Sequence, residues 1–204
     1  MTLIEVLMIV AVLILAAAIL LPMLRPAEAR VKRVNCINHL KQLGLFFNEW
    51  ALDHNDQFPM QVSVADGGTK EIGATGGVLT HFLALSNHLT AKVLICPRDL
   101  SRQPAPLFPS GLTETNISYF VNLDAVCTNP FAFLSGDRNL TNGTLPSSRI
   151  LELKTNSAVG WTAEIHNQQG NVGLADGSVQ ACSRTRLREA LKESGVATNR
   201  LAIP

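Results

Sequence analysis

The sequence lacks the patterns that mark most enzymes and nucleic-acid-binding proteins. It contains no Gly-x-Ser-x-Gly, no His-Glu-x-x-His and no phosphate-binding loop, and its five histidines are scattered. Lysine and arginine nearly balance aspartate and glutamate, giving a net charge of +1, and no basic run alternates with aromatic residues. These absences predict a protein that is not an enzyme, has no catalytic residues and does not bind nucleic acid.

What the sequence has in excess is a long apolar run at its start. Residues 1–24, MTLIEVLMIVAVLILAAAILLPML, carry one ionisable side chain, Glu5. At about 1.5 Å per residue, a helix of this length crosses the ~30 Å hydrocarbon core of a bilayer. We therefore expect this run to insert into lipid or into something that replaces lipid. A carboxylate in a membrane helix costs roughly 2.5–3.5 kcal/mol, so Glu5 is either functional or close enough to the helix start to reach water.

A second helical signal follows directly. A proline inside a helix removes a hydrogen bond and kinks or breaks it, so the local interpretation is that one helix stops at Pro22. The next thirty residues or so favour a helix that continues, loosened near Pro22, because apolar residues recur there at intervals of three and four. These residues are Cys36, Leu40, Leu43, Phe47 and Trp50. We predict one spine helix of about fifty residues whose second half is amphipathic.

The rest of the chain predicts one α+β head domain with an antiparallel sheet. Asp176-Gly177 is suited to a tight hairpin because the pair tolerates positive φ. Residues 101–112 and 136–148 are predicted surface loops. Helices are predicted at 78–87 and 185–194, and strands at 92–95, 116–123 (half-buried), 158–164, 171–175 and 178–182. The predicted domains are residues 1–24 (apolar helix), 25–54 (amphipathic spine) and 55–204 (head).

The start of the chain resembles the mature N-terminus of type IV pilins and pseudopilins. The residues that carry the resemblance are Met-Thr-Leu-Ile-Glu-Val-Leu followed by an unbroken apolar run with Pro22. In that family a cytoplasmic leader is removed before residue 1 and the new amine is methylated. The family usually begins with Phe where this chain has Met1, which some members also carry. We expect a processed chain; an unprocessed chain with Met1 as initiator is the alternative.

The resemblance implies a function in assembly. The apolar helix would leave the inner membrane and pack into an extracellular filament of identical subunits, with Glu5 neutralising the N-terminal amine of a neighbour. A buried carboxylate is expensive alone and much less so with a partner. The implied partners are copies of the chain, a prepilin peptidase/methylase and inner-membrane assembly machinery. The alternatives are a secretion pseudopilin or minor tip-binding subunit, and a single-span tethered ligand-binding domain that does not polymerise.

Four basic residues follow the apolar run: Arg25, Arg30, Lys32 and Arg33. By the positive-inside rule alone they would place the head in the cytoplasm. The resemblance instead places the head in the periplasm before assembly and at the cell surface afterwards. The four cations are either solvated, which is the simpler interpretation, or paired with carboxylates of adjacent subunits.

Later segments are similar to a subgroup of pilin-like proteins with an H-x9-DG signature, here His166, Asp176 and Gly177. The other segments that fit the subgroup are Asn35-Cys36-Ile37-Asn38-His39, Ile95-Cys96-Pro97-Arg98-Asp99, Ser118-Tyr119-Phe120-Val121 and Gly136-Asp137-Arg138-Asn139. The simplest interpretation is structural: Asp176-Gly177 forms a hairpin turn and His166 is a loop residue that caps it. No cofactor is expected. The more specific hypothesis is a bound calcium ion, with ligands from Asp124, Asp137 or Asp176 and from loop carbonyls, as in some pseudopilins.

The four cysteines show no Cys-x-x-Cys spacing, which disfavours zinc and thioredoxin chemistry. An even number of cysteines in an exported domain suggests two disulfides, for which three pairings exist. We predict Cys36–Cys96, tying the spine to the sheet, and Cys127–Cys182, tying a loop to the last strand.

Overall fold

The computed structural model describes residues 2–73, 75, 77–143 and 149–204, and for residues 21–27 and 29 it describes the backbone only. The helices within these residues are α1 (Leu3–Leu52), α2 (Gly77–Ala84) and α3 (Arg184–Glu193), with single turns of 3-10 helix at Val64–Asp66 and Glu114–Asn116. The strands are β1 (Tyr119–Asn122), β2 (Phe133–Asp137), β3 (Leu140–Thr141), β4 (Ile150–Lys154), β5 (Gly160–Trp161), β6 (Gly170–Leu174), β7 (Val179–Cys182) and β8 (Thr198–Ala202). The predicted α+β class is confirmed.

Helix α1 is the spine of the molecule. It runs for 50 residues and continues through Pro22 and Pro26, so the prediction of one long helix is confirmed. Its second half buries one face against the head domain. The predicted stripe on that face is buried throughout: Cys36, Leu40, Leu43, Phe47 and Trp50.

The strands form a six-stranded sheet and a separate two-stranded sheet. The order in the larger sheet is β4-β8-β1-β2-β6-β7, and β3 pairs with β5 in the smaller one. All pairings are antiparallel. The predicted hairpin is present as β6 and β7, in which Gly173 pairs with Val179 on either side of the Asp176-Gly177 turn.

The larger sheet separates two hydrophobic cores. Helices α1 and α2 cover one face, where Tyr119 and Val121 of β1 join the core. Helix α3 covers the other face, where Phe120 of β1 packs in a core with Trp161 and Leu187. Strand β1 is therefore buried on both faces. The prediction that it is half-buried is wrong, because the side chains on its two faces point into two different cores.

Two local predictions are wrong. Residues 92–95 form turns rather than a strand; the Leu94 carbonyl accepts a hydrogen bond from the Ser118 N–H at 2.8 Å, and Pro97 has no N–H with which to extend a ladder. The predicted loop at 136–148 contains the end of β2 and all of β3. Residues 144–148 of that loop lie outside the described residues.

The sequence pattern predicts neither β4 nor β8. Strand β8 nevertheless lies between β4 and β1. It carries Asn199, which is fully buried and whose Oδ1 accepts a hydrogen bond from Asn122 Nδ2 at 3.0 Å. The two buried asparagines satisfy part of each other's hydrogen-bonding capacity. A buried polar residue also interrupts the apolar alternation by which strands are recognised in a sequence.

Candidate functional site

The first turns of α1 lie outside both cores. Leu3–Leu20 has a mean hydropathy of 3.1, and none of it is buried. In the part of the chain that the structure describes, this is the one helix long and apolar enough to cross a membrane. By length and composition it could serve as a membrane anchor or as a signal sequence.

Glu5 closes the N-terminal end of this helix. Its Oε2 accepts a hydrogen bond from the Thr2 backbone N–H at 2.7 Å, and Thr2 Oγ1 accepts one from the Glu5 N–H at 3.4 Å. This capping box satisfies two backbone donors that a helix start otherwise leaves without partners. Of the other predicted assembly residues, Met1 lies outside the described residues and Pro22 lies within the α1 backbone.

The Asp176-Gly177 turn lies directly against α1. Asp176 Oδ1 accepts a hydrogen bond from the Ser178 N–H at 2.8 Å, and Gly177 adopts φ +82°, which favours glycine. A Cβ added to Gly44 of α1 would lie 3.1 Å from the Gly177 Cα. Asn48 Nδ2, one turn further along α1, donates to the Ala175 carbonyl at 3.1 Å. The turn therefore docks the hairpin onto the spine.

His166 also meets the spine, but through the disulfide. Its Nε2 lies 3.3 Å from Cys96 Sγ and 3.3 Å from Asn171 Nδ2. The backbone of His166, Asn167 and Gln168 is left-handed, with φ of 53°, 54° and 62°, which turns the His166 side chain into the protein. The prediction that His166 caps the Asp176-Gly177 turn is wrong; the two parts of the signature touch α1 at different places.

The predicted disulfide between Cys36 and Cys96 is present. It joins α1 to the turns before β1. The predicted Cys127–Cys182 pair is wrong, because both are free thiols. Cys127 packs against the core that contains α1, whereas Cys182 lies in the core on the other side of the sheet. Burial raises the pKa of Cys127, and it raises the pKa of Cys182 to about 11, so Cys182 remains a thiol at neutral pH.

Asp137 lies beside His166 in the same buried site. Asp137 Oδ2 accepts hydrogen bonds from the backbone N–H of Asn171 at 2.7 Å and from its Nδ2 at 2.9 Å, and lies 3.4 Å from His166 Nε2. Burial raises the pKa of Asp137 to about 7. Burial, together with the nearby Arg33 and Arg98, lowers the pKa of His166 to about 4. His166 is therefore a neutral imidazole at neutral pH.

Three arginines line a recess outside His166. Arg30, Arg33 and Arg98 surround a volume of about 180 Å³, with His166 as its inner wall. Arg33 donates a hydrogen bond to Gln169 Oε1 of the same chain. Part of the basic cluster that follows the apolar run therefore faces its own head domain.

The three calcium candidates have separate partners. Asp124 Oδ1 accepts a hydrogen bond from Arg200 Nε at 3.0 Å, Asp137 is held by Asn171, and Asp176 accepts from its own turn. Across the described residues, the one group of three or more potential ligand atoms close enough to hold a metal ion is Cys36, Cys96 and His166. Calcium at the three aspartates stays a prediction; a subunit melting temperature that a chelator does not change would remove it.

The sequence predicts the Cys36–Cys96 pair, but not that His166 and Asp137 lie beside it. It instead predicts His166 as a turn cap and Asp137 as a calcium ligand. An ion pair next to the site was missed as well: Arg138 Nε lies 2.7 Å from Asp99 Oδ2, and Nη2 lies 3.1 Å from Oδ1. All of these residues belong to the short segments that carry the subgroup resemblance, and that shared origin is the signal that could have grouped them.

No family model, curated protein or solved structure matches this chain.

Proposed function

We propose that this chain is a structural subunit of an extracellular type IV pilus-like filament, in which α1 packs against copies of itself. The observation that carries the proposal is the bare apolar half of α1: Leu3–Leu20 is a continuous apolar helix, none of which is buried by the head domain. The arrangement of a long spine with a sheet on its second half is what the resemblance implies, and it supports the same proposal.

The exposed apolar side chains of this helix must be shielded from water. A helix of 18 residues is about 27 Å long, and each large apolar side chain gains roughly 1.5–3 kcal/mol on leaving water. Lipid can cover this surface, and so can other copies of α1. Exposed apolar side chains recur further along the spine, from residue 31 onward, which favours copies packed side by side. The residues are Val31, Val34, Leu45 and Leu52, which are 53–76% exposed.

Glu5 has a specific role in this proposal. Its carboxylate bends back to the Thr2 backbone, at the end of the helix where the amine of a neighbouring subunit would approach. Inside a bundle of apolar helices an unpaired carboxylate is costly, and a neighbouring amine would offset that cost. Glu5 would then favour subunits staggered so that each amine meets the next carboxylate.

The proposed location and processing of the chain follow from its resemblance to type IV pilins and pseudopilins. Before assembly, α1 would lie in the inner membrane with the head in the periplasm, and a prepilin peptidase/methylase would process the N-terminus. The assembled filament would be at the cell surface. The role is structural rather than enzymatic, and it requires no cofactor.

The experiment separates the charge of Glu5 from its capping. Glu5→Gln keeps an acceptor for the Thr2 N–H but removes the charge, whereas Thr2→Ala removes the hydroxyl cap and keeps the charge. We expect Glu5→Gln to lose most filaments in electron micrographs of sheared surface material, and Thr2→Ala to retain them. Normal filaments with Glu5→Gln would disprove the role of the charge.

The same preparations distinguish the alternatives. Long fibres built mainly of this chain support the major-subunit proposal. Short assemblies, or fibres with this chain only at their ends, would indicate a pseudopilin or a minor tip subunit. A chain that stays as a membrane monomer, with Glu5→Gln behaving like the wild type, would indicate a tethered domain and would overturn the proposal.

A further inference from the structure

Three potential metal ligands converge between α1 and the sheet. The Sγ atoms of Cys36 and Cys96 and the Nε2 atom of His166 all lie within 4.8 Å of one another, and all three residues are buried. The sulfurs are joined in the structure. Reduction would convert them into two thiols facing one imidazole.

We propose that in the dithiol state Cys36, Cys96 and His166 bind a zinc ion, which holds α1 to the head domain in place of the disulfide. Two thiolates and one imidazole are a ligand set that zinc favours. With Zn–S near 2.3 Å and Zn–N near 2.0 Å, a tetrahedral site places sulfur and nitrogen about 3.5 Å apart. The distance from Cys96 Sγ to His166 Nε2 is 3.3 Å. This inference does not depend on the filament proposal.

Asp137 places a carboxyl group beside this site. Its Oδ2 lies 3.4 Å from His166 Nε2, close to the spacing of two ligands on one zinc ion. Its Oδ1 is buried and has no hydrogen-bond partner among the residues that the structure describes. Asn171 fixes the carboxylate in place through two hydrogen bonds. Asp137, or solvent from the recess outside His166, would complete the four-coordinate shell.

The disulfide state and the zinc-bound dithiol state interconvert by reactions whose atoms and electrons balance. A phosphine and water reduce the disulfide to two thiols, and the phosphine becomes its oxide. Zinc then replaces the two thiol protons, which are released. In the reverse direction a low-molecular-weight disulfide takes two electrons from the thiolates, forms two small thiolates and expels the zinc ion as the Cys36–Cys96 bond closes.

The test uses the full chain in detergent, with Cys127→Ser and Cys182→Ala so that the paired cysteines supply the only thiols. After reduction with a phosphine, the protein is titrated with Co²⁺, which reports tetrahedral thiolate ligation by its visible and near-ultraviolet absorption. We expect one equivalent of Co²⁺ to bind, and Zn²⁺ to displace it. The oxidised protein should bind none.

Two histidine variants complete the test. His166→Ala should weaken the affinity by at least about tenfold, whereas His88→Ala, which removes a half-exposed histidine near Glu49, should not change it. If the reduced protein loses its near-ultraviolet circular dichroism, zinc should restore that signal in the parent and in His88→Ala but not in His166→Ala. Absent Co²⁺ binding, equal binding by the oxidised form, or unaltered binding by His166→Ala would each overturn the proposal.

Discussion

Gly44 of the spine and Gly177 of the β6–β7 turn are in backbone contact, and a Cβ added to Gly44 would lie 3.1 Å from the Gly177 Cα. Two glycines are thus used for two reasons. Gly177 supplies the positive φ of the turn, and Gly44 lets the helix come close enough to touch it. The contact places the hairpin of the H-x9-DG signature on one defined turn of α1.

Gly44→Val should destabilise the protein. Alanine at this position would gain roughly 1 kcal/mol of helix propensity, which would partly mask the crowding, so valine is the better probe. Its branched side chain overfills a contact made of backbone, and we expect a loss of about 1–3 kcal/mol in the free energy of unfolding. Leu45→Val, on the exposed face of the same helix, is the matched control and should change stability by less than about 0.5 kcal/mol. Equal effects in chemical denaturation would show that the contact is unimportant.

Removing the Cys36–Cys96 disulfide should have a larger effect. The bond closes a loop with a sequence separation of 60 residues, for which chain entropy predicts a stabilisation of about 4 kcal/mol. The double variant Cys36→Ala/Cys96→Ala should therefore melt at a clearly lower temperature than the oxidised wild type. Cys127→Ala removes a free, half-buried thiol and serves as the control. A double variant as stable as this control would contradict the prediction.

Two Arg–Asp pairs offer an internal comparison. Arg138 binds the buried Asp99 through two hydrogen bonds. Burial alone would raise the pKa of Asp99, but these hydrogen bonds and the positive charge of Arg138 lower it. Arg200 makes a similar fork to Asp124 at a more exposed position. Arg138→Lys should cost roughly 1–3 kcal/mol, because lysine cannot replace the fork and leaves a buried carboxylate partly unsatisfied. Arg200→Lys should cost under about 1 kcal/mol. Denaturation at neutral pH measures both, and a smaller loss for Arg138→Lys would refute this ranking.

His81 should make stability depend on pH. It lies on the buried face of α2 and is hydrogen-bonded to Thr69 Oγ1 at 2.8 Å, and burial lowers its pKa from 6.5 to about 4. The unfolded chain therefore binds more protons than the folded chain between pH 4 and 6.5, so the stability from this residue is lost as pH falls through that range. The loss is at most about 3 kcal/mol.

His81→Asn isolates this contribution, because its Oδ1 can accept from Thr69 but it does not titrate. The variant should be less stable than the wild type at pH 7, and the difference should shrink as pH falls to 4. His166 titrates in the same direction in both proteins, so it cancels from the comparison. A difference that is constant with pH would show that His81 is not the titrating group.

The sequence predicts the parts of the fold that have strong, local patterns. The apolar stripe from Cys36 to Trp50 identifies the buried face of α1, and Asp176-Gly177 identifies the hairpin, because helix period and turn chemistry are set by near neighbours. The pattern does not predict strand β8 because Asn199 stands where alternation requires an apolar residue, and the place of the strand in the sheet depends on Asn122, 77 residues earlier.

The buried site could not be predicted for a related reason. Cys96, Asp137 and His166 are far apart in sequence, and each has an ordinary structural interpretation when taken alone. Their meeting depends on the left-handed backbone at His166 and on the register of β2 with β6, neither of which a single sequence displays. The same limit explains the wrong Cys127–Cys182 pair, since nothing local shows that the sheet lies between them.

Cys36 is the first buried residue met on passing down α1, among the side chains that the structure describes, and it is also the residue that is covalently joined to the head. A force applied to the apolar end of α1 would reach the head first at the Arg33–Gln169 hydrogen bond and then at the Cys36–Cys96 bond. Separating the rest of the helix from the sheet would require that covalent bond to break before the packing of Leu40, Phe47 and Trp50 was disrupted.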